Sequence, residues 1–167
     1  MATPTLKVGA TVKVDLDYVD TDEPNSKRGS FVRNLVDALT SGTGEDQADL
    51  LYWSHGSLAK ASTEYDLRGV LQDVHDNTLT YAKIKGLLVY NKGSESGMNL
   101  TLGAAGSSPF ANWLGNANDK VTVDPEGVFW LWSPIDGYTV GAGSDRLKLD
   151  AGSSSLAYEI FVIGTSA

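Results

Sequence analysis

The sequence predicts an all-β protein, an antiparallel β-sandwich of jelly-roll type with one or two short helices. Short apolar segments alternate with turn-forming clusters rich in Gly, Ser, Asn and Asp, and the chain contains 18 glycines. This rhythm is typical of sandwiches and barrels. About eight strands can be counted, which favours a jelly roll, and the Cys…Trp…Cys signature of immunoglobulin domains is absent.

Period-2 alternation marks the clearest strand, over residues 79–91. Its apolar residues of one parity are expected to face the core, and Lys83 and Lys85 have the other parity. The apolar set is Ala82, Ile84, Leu88 and Tyr90.

Further strands follow in the second half of the chain. Residues 128–132 are apolar throughout, so we expect a central strand that is covered on both faces. The turn 124–127 contains Pro and Gly placed for a tight reversal just before that strand. Alternation or apolar runs predict the remaining strands over residues 99–103, 120–124, 146–150 and 157–163.

The first half of the chain has less regular patterns. Residues 6–18 alternate and predict one strand or two. Helical spacing predicts a helix over residues 29–40, which Ser26 or Ser30 would cap, and another over residues 66–74. We expect residues 1–25 to form an N-terminal strand or arm, and residues 26–167 to form one β-sandwich domain.

Composition excludes several classes of function. The chain has 167 residues, a formal net charge of -8 and no cysteine. An acidic surface repels phosphate backbones, so we expect no nucleic-acid binding. The lack of cysteine removes thiolate metal sites and cysteine nucleophiles. No apolar run is long enough to span a bilayer and no signal peptide is evident, so we expect no membrane partner.

No residue stands out as catalytic, and we expect the protein not to be an enzyme. His55 and His75 lie outside any HxH or HExxH frame, and Ser54 next to His55 does not make a triad. Glu159 is the one acid in an apolar setting, and it is interpreted as the polar side of an alternating strand.

An acidic run near the N-terminus is the best metal candidate. Asp15, Asp17, Asp20 and Asp22 are spaced closely enough to offer several oxygens to calcium. The run lacks the loop glycine and the distal Glu of an EF-hand. The favoured interpretation is therefore a solvated strand edge, which its charge protects from edge-to-edge pairing. No other cofactor is predicted.

The tryptophans offer a second kind of site. Trp130 and Trp132 share a parity, as two residues of a flat sugar-stacking platform would. The alternative, which we favour, is that both fill the core, because large aromatic residues dominate core energetics. Trp113 follows Pro109 and Phe110 in a loop and is a third candidate for sugar stacking.

A series of segments in order resembles a family of small virion structural proteins from tailed bacteriophages. The resemblance covers residues 40–167, and residues 1–40 match poorly. Glu45 and Glu126 depart from the commoner family residues. The matching segments are GTGEDQAD at 42–49, LA at 58–59, YDLRG at 65–69, LQD at 71–73, TLTYAKIK at 78–85, FANWLG at 110–115, PEG at 125–127, GYTV at 137–140 and AYEIFVIG at 157–164.

The resemblance implies a non-catalytic role in the virion, as a capsid decoration or cement protein or as a head or tail appendage. Its partners would be other virion proteins, such as the major capsid or tail protein. We also expect a homo-oligomer, with a trimer as the first guess, made in the host cytoplasm. The alternative is a carbohydrate-binding β-sandwich module that acts as a receptor-binding head.

Overall fold

The structure is a computed structural model that describes residues 6–19 and 28–167. This part of the chain forms fourteen β-strands and contains no helix. The strands are β1 Val8–Val19, β2 Arg28–Ser41, β3 Gln47–Ala48, β4 Leu50–Ala59, β5 Ser62–Asp66, β6 Arg68–Gln72, β7 Thr78–Thr80, β8 Lys83–Asn91, β9 Leu100–Gly103, β10 Lys120–Val123, β11 Val128–Trp132, β12 Tyr138–Thr139, β13 Arg146–Asp150 and β14 Ser155–Thr165.

Two antiparallel sheets form a β-sandwich, as the sequence predicted. The five-stranded sheet has the order β11-β8-β14-β4, with β12 paired beside β8. The four-stranded sheet has the order β10-β9-β13-β5. One apolar core lies between them, and it contains Leu87 and Ile160 from the first sheet and Leu102 and Leu149 from the second. The jelly-roll subtype stays a prediction.

Both predicted helices are wrong. Residues 29–40 lie in β2, which pairs with β1 in unbroken register from Val8–Leu39 to Val19–Arg28. Twelve cross-strand pairs, several of them with β-branched residues, outweigh helical spacing, which is a weak local preference. Residues 66–74 include β6, which pairs with β7. Gly69 has a φ of +100°, a conformation that a helix does not accept.

The β1–β2 hairpin joins the sandwich at its base. Leu39 is buried together with Ala48 and Ile163, and β2 continues into a short parallel pairing with β3. The boundary expected near residue 25 lies outside the described residues. The division into an arm and one domain therefore stays a prediction.

The strand over residues 128–132 is not central. It is β11, and it stands at one end of the five-stranded sheet. Its apolar character on both sides has another cause. Phe129 and Leu131 pack against the core, while Trp130 and Trp132 lie on the opposite side of the sheet.

The strand over residues 79–91 is divided into β7 and β8. Ile84 is buried in the core as predicted, but the predicted inward parity is wrong further along β8. Leu87 and Val89 are buried, whereas Leu88 lies on the outer side. Lys85, expected on the polar face, is only 1% exposed. Its ammonium donates to the carbonyl of Pro134 at 2.8 Å and to that of Ile135, which satisfies the buried charge.

Two polar contacts cross the core between the sheets. The hydroxyls of Tyr65 in β5 and Tyr158 in β14 are 2.6 Å apart. The side-chain amide of Asn91, at the end of β8, donates to the carbonyl of Val123 in β10 at 2.9 Å. Because both sets of groups are buried, each contact fixes the position of one sheet relative to the other.

Candidate interaction surface

The outer side of the five-stranded sheet carries a row of large apolar side chains. Trp53 of β4 lies opposite Phe161 of β14, which in turn lies opposite Leu88 of β8. Leu88 lies opposite Trp130 of β11. Residues that are directly opposite share one side of a sheet, so these four residues form a continuous band across it. We call them the outer row.

The outer row is open to solvent at its β4 end. Trp53 is 48% exposed, although its ring stacks on that of Phe161 with centroids 6.1 Å apart. Phe161, Leu88 and Trp130 are half-buried. Large aromatic side chains usually bury most of their area, so this exposure leaves considerable apolar surface in water.

A second row lies two residues further along the strands, and the base of the β1–β2 hairpin covers it. This row runs from Leu51 through Ile163 and Gly86 to Trp132. It packs against the small cluster at the hairpin base. The members of that cluster are Leu6, Val8, Leu39 and Ala48.

Gly86 makes room for the ring of Trp132. A Cβ at Gly86 would lie 2.9 Å from Cζ3 of Trp132, closer than carbon atoms approach each other. The absence of a side chain thus lets the indole lie flat on β8. Trp130 stacks on Trp132 with centroids 5.3 Å apart and ring planes 12° apart. The stacked indoles therefore connect the two rows, since Trp130 belongs to the outer row and Trp132 to the row that the hairpin base covers.

A cleft of about 810 Å³ separates the outer row from the start of β1. Its floor is apolar and includes Leu88, Trp130 and Phe161. Lys7 and Lys13 line its other wall. The cleft is therefore an apolar groove with positive charge along one side, on a chain whose net charge is -8.

Polar groups border the outer row on the side away from the hairpin base. The Lys92 ammonium and the Glu159 carboxylate form a salt bridge at 2.5 Å. His55 lies opposite Glu159 in the register, and its ring is 5.6 Å from that of Trp53. Such a polar rim around an apolar centre is typical of binding surfaces.

The structure brings together two of the three tryptophans that the sequence singled out. Trp130 and Trp132 lie on the outer side of the sheet, where they are half-buried, and do not fill the core between the sheets. Trp113 is elsewhere. Its ring packs 5.1 Å from that of Phe129, and its Nε1 donates to the carbonyl of Phe110 at 3.1 Å. A half-buried Trp113 fixed in this way supports the 110–115 loop.

Trp53, Phe161 and Leu88 were not selected as candidates from the sequence. The sequence does contain a signal for the orientation of Trp53. In an extended strand, Trp53 shares one side with Leu51 and His55, and Tyr52 and Ser54 take the other. That alternation places Trp53 on one side of a strand, but only the register with β14 shows that this side faces solvent.

The calcium candidates stay a prediction. Asp15 and Asp17 belong to β1, where they pair with Val32 and Ser30, and their side chains lie outside the description. Asp20 and Asp22 lie outside the described residues altogether. Among the side chains that are described, no three His, Asp or Glu residues cluster closely enough to hold a metal ion.

Comparisons of the chain with protein-family models, with curated proteins and with solved structures found no match. The resemblance to phage virion proteins therefore stays a prediction. No helix in residues 6–19 or 28–167 has the length and apolar character needed to cross a bilayer.

Proposed function

We propose that the protein is a non-catalytic structural subunit of a bacteriophage virion, of the capsid decoration, cement or appendage type. It would assemble as a homo-oligomer and bind the major capsid or tail protein. The observation that carries this proposal is the outer row, a half-exposed apolar band on an otherwise acidic and well-packed sandwich.

Exposed apolar bands of this kind mark surfaces that associate with other proteins. Trp53 is 48% exposed at the β4 end of the outer row. Association would remove this area from water at about 25 cal/mol per Å² of apolar surface. A rigid sandwich also suits a structural subunit, because little ordering is needed when it binds.

Reconstitution tests the proposal. Purified protein is added to particles that lack it, and the particles are sedimented through a sucrose cushion. We expect saturable co-sedimentation that Trp53→Ser weakens at least tenfold. Val70→Ser is the matched control, since Val70 is 65% exposed but lies on β6, outside the five-stranded sheet. A protein that neither oligomerises nor binds such particles contradicts the proposal.

A carbohydrate-binding module is the second candidate, and one observation favours it. The exposed Trp53 presents an aromatic face beside the hydrogen-bonding groups of His55 and Glu159, and the half-buried Trp130, stacked on Trp132, lies on the same side of the sheet. Sugar sites combine apolar contact area with a few well-placed polar groups. A glycan array is the test. A hit that Trp130→Ala abolishes and Trp53→Ser weakens supports this candidate, and an array without hits counts against it.

A further inference from the structure

The edge strand β4 is the longest edge of the sandwich and the least protected. It stands at the end of the five-stranded sheet and spans ten residues, Leu50–Ala59. Within the described residues, β14 is the only strand that pairs with it. Its other side therefore presents a row of backbone N–H and C=O groups that have no strand partner in residues 6–19 and 28–167.

Sandwich proteins commonly protect such edges with charged residues, prolines or short length. The sequence of β4, LLYWSHGSLA, contains no Lys, Arg, Asp, Glu or Pro. The edges of the other sheet differ, because β10 has four residues with Lys120 and β5 has five residues with Glu64 and Asp66. The opposite edge of the same sheet, β11, is uncharged but only five residues long.

We propose that β4 pairs antiparallel with β4 of a second copy of this chain, so that two five-stranded sheets become one continuous sheet. This inference rests on the proposed self-assembly and names the contact that makes it. Identical strands are self-complementary about a two-fold axis when they pair antiparallel. The equal length of the two strands lets every residue of the edge take part.

The contact is large enough for a stable dimer. Ten residues span roughly 33 Å, and two sheets that pack about 10 Å apart present an edge about 20 Å wide with their side chains. Each copy then contributes about 650 Å², which is close to the roughly 800 Å² per partner of a standard stable interface. The exposed Trp53 lies on this edge strand, so the outer rows of the two copies would meet and lose more apolar surface to solvent.

The contact joins copies in pairs, so its signature is an even-numbered oligomer. The trimer expected from the sequence would need a head-to-tail contact, for which β11 of the neighbouring copy is the available edge. This difference makes the two arrangements distinguishable.

Sedimentation equilibrium of the full chain and of matched variants tests the inference. We expect a mass of twice 17.8 kDa for the natural chain. Ser57→Lys and Trp53→Lys each add a charge at an exposed β4 position and are expected to weaken dimerisation at least tenfold. Val128→Lys adds the same charge on the exposed end of β11 and is expected to leave the dimer unchanged.

Far-UV circular dichroism checks that each variant is folded. Trp53→Lys removes the stacking on Phe161 and could prevent folding. Ser57→Lys removes no such contact, so this variant decides the result if Trp53→Lys does not fold. Hydrogen exchange gives a second measurement, because β4 amides should exchange more slowly as the concentration of the natural chain rises.

Three results would overturn the inference. A dimer that is unchanged in both β4 variants means that copies meet elsewhere, and loss of assembly in Val128→Lys as well means a head-to-tail β4–β11 contact. A natural chain that is monomeric at every concentration also overturns it. The proposed virion role fails separately, only if that monomer does not bind particles lacking it.

Discussion

The hydroxyl pair of Tyr65 and Tyr158 should reveal how the two sheets are held together. The two groups are 2.6 Å apart in the core. Tyr65→Phe therefore leaves the hydroxyl of Tyr158 buried without its partner. Tyr158→Phe likewise leaves the hydroxyl of Tyr65 buried without its partner.

The magnitudes follow from the hydroxyl that each substitution leaves unpaired. An unpaired buried hydroxyl costs about 1–3 kcal/mol. We expect Tyr65→Phe and Tyr158→Phe each to lower the free energy of unfolding by about 2 kcal/mol. The double variant leaves neither hydroxyl in the core, so its loss should fall short of the sum of the single losses by about 2 kcal/mol.

Urea unfolding, followed by tryptophan fluorescence and far-UV circular dichroism, measures these values. The three variants and the natural chain form a double-mutant cycle, and a common m-value shows that the unfolded states are comparable. Additive losses would refute the reasoning, because they would mean that the two hydroxyls do not interact.

Three further predictions concern the sheet and its titrating groups. Gly86→Ala should lower the free energy of unfolding by about 1–3 kcal/mol and shift the tryptophan emission, since the new Cβ meets Trp132, whereas Gly143→Ala, which meets nothing within 4 Å, should do neither. Lys85→Met should lower the unfolding temperature far more than Lys83→Met, because it removes the donor that holds the carbonyls of Pro134 and Ile135. Burial raises the pKa of Tyr65 and of Tyr81 well above the usual value near 10. Both are neutral in the folded state, so their stabilisation is present below about pH 10 and is lost as the pH rises further, which urea midpoints at pH 8 and pH 11 will show.

The strands that sequence analysis located best are those with clear alternation and strong turn signals. The 124–127 turn and the apolar run 128–132 both coincide with the structure, since Pro and Gly restrict the backbone locally. The side of the sheet that each residue faces was harder to predict. Lys85 is buried and Leu88 lies on the outer side of the sheet, the reverse of what was expected. The sequence pattern could not show this, because burial of the lysine depends on two carbonyls almost fifty residues away.

The helix predicted over residues 29–40 failed for a related reason. Helical spacing is a property of the segment alone, whereas the pairing of β2 with β1 depends on a strand that precedes it by about twenty residues. The outer row shows the same limit. Its four members come from four strands, and only the sheet order brings them side by side.

The central claim is that the β4 edge of the five-stranded sheet, with the adjoining end of the outer row, is a contact surface between copies of this chain. Light scattering on the purified full chain tests it most directly, over a range of concentrations. We predict one discrete species with a mass of twice 17.8 kDa, or of a larger even multiple if dimers associate further. A species of 17.8 kDa at every concentration would contradict the claim.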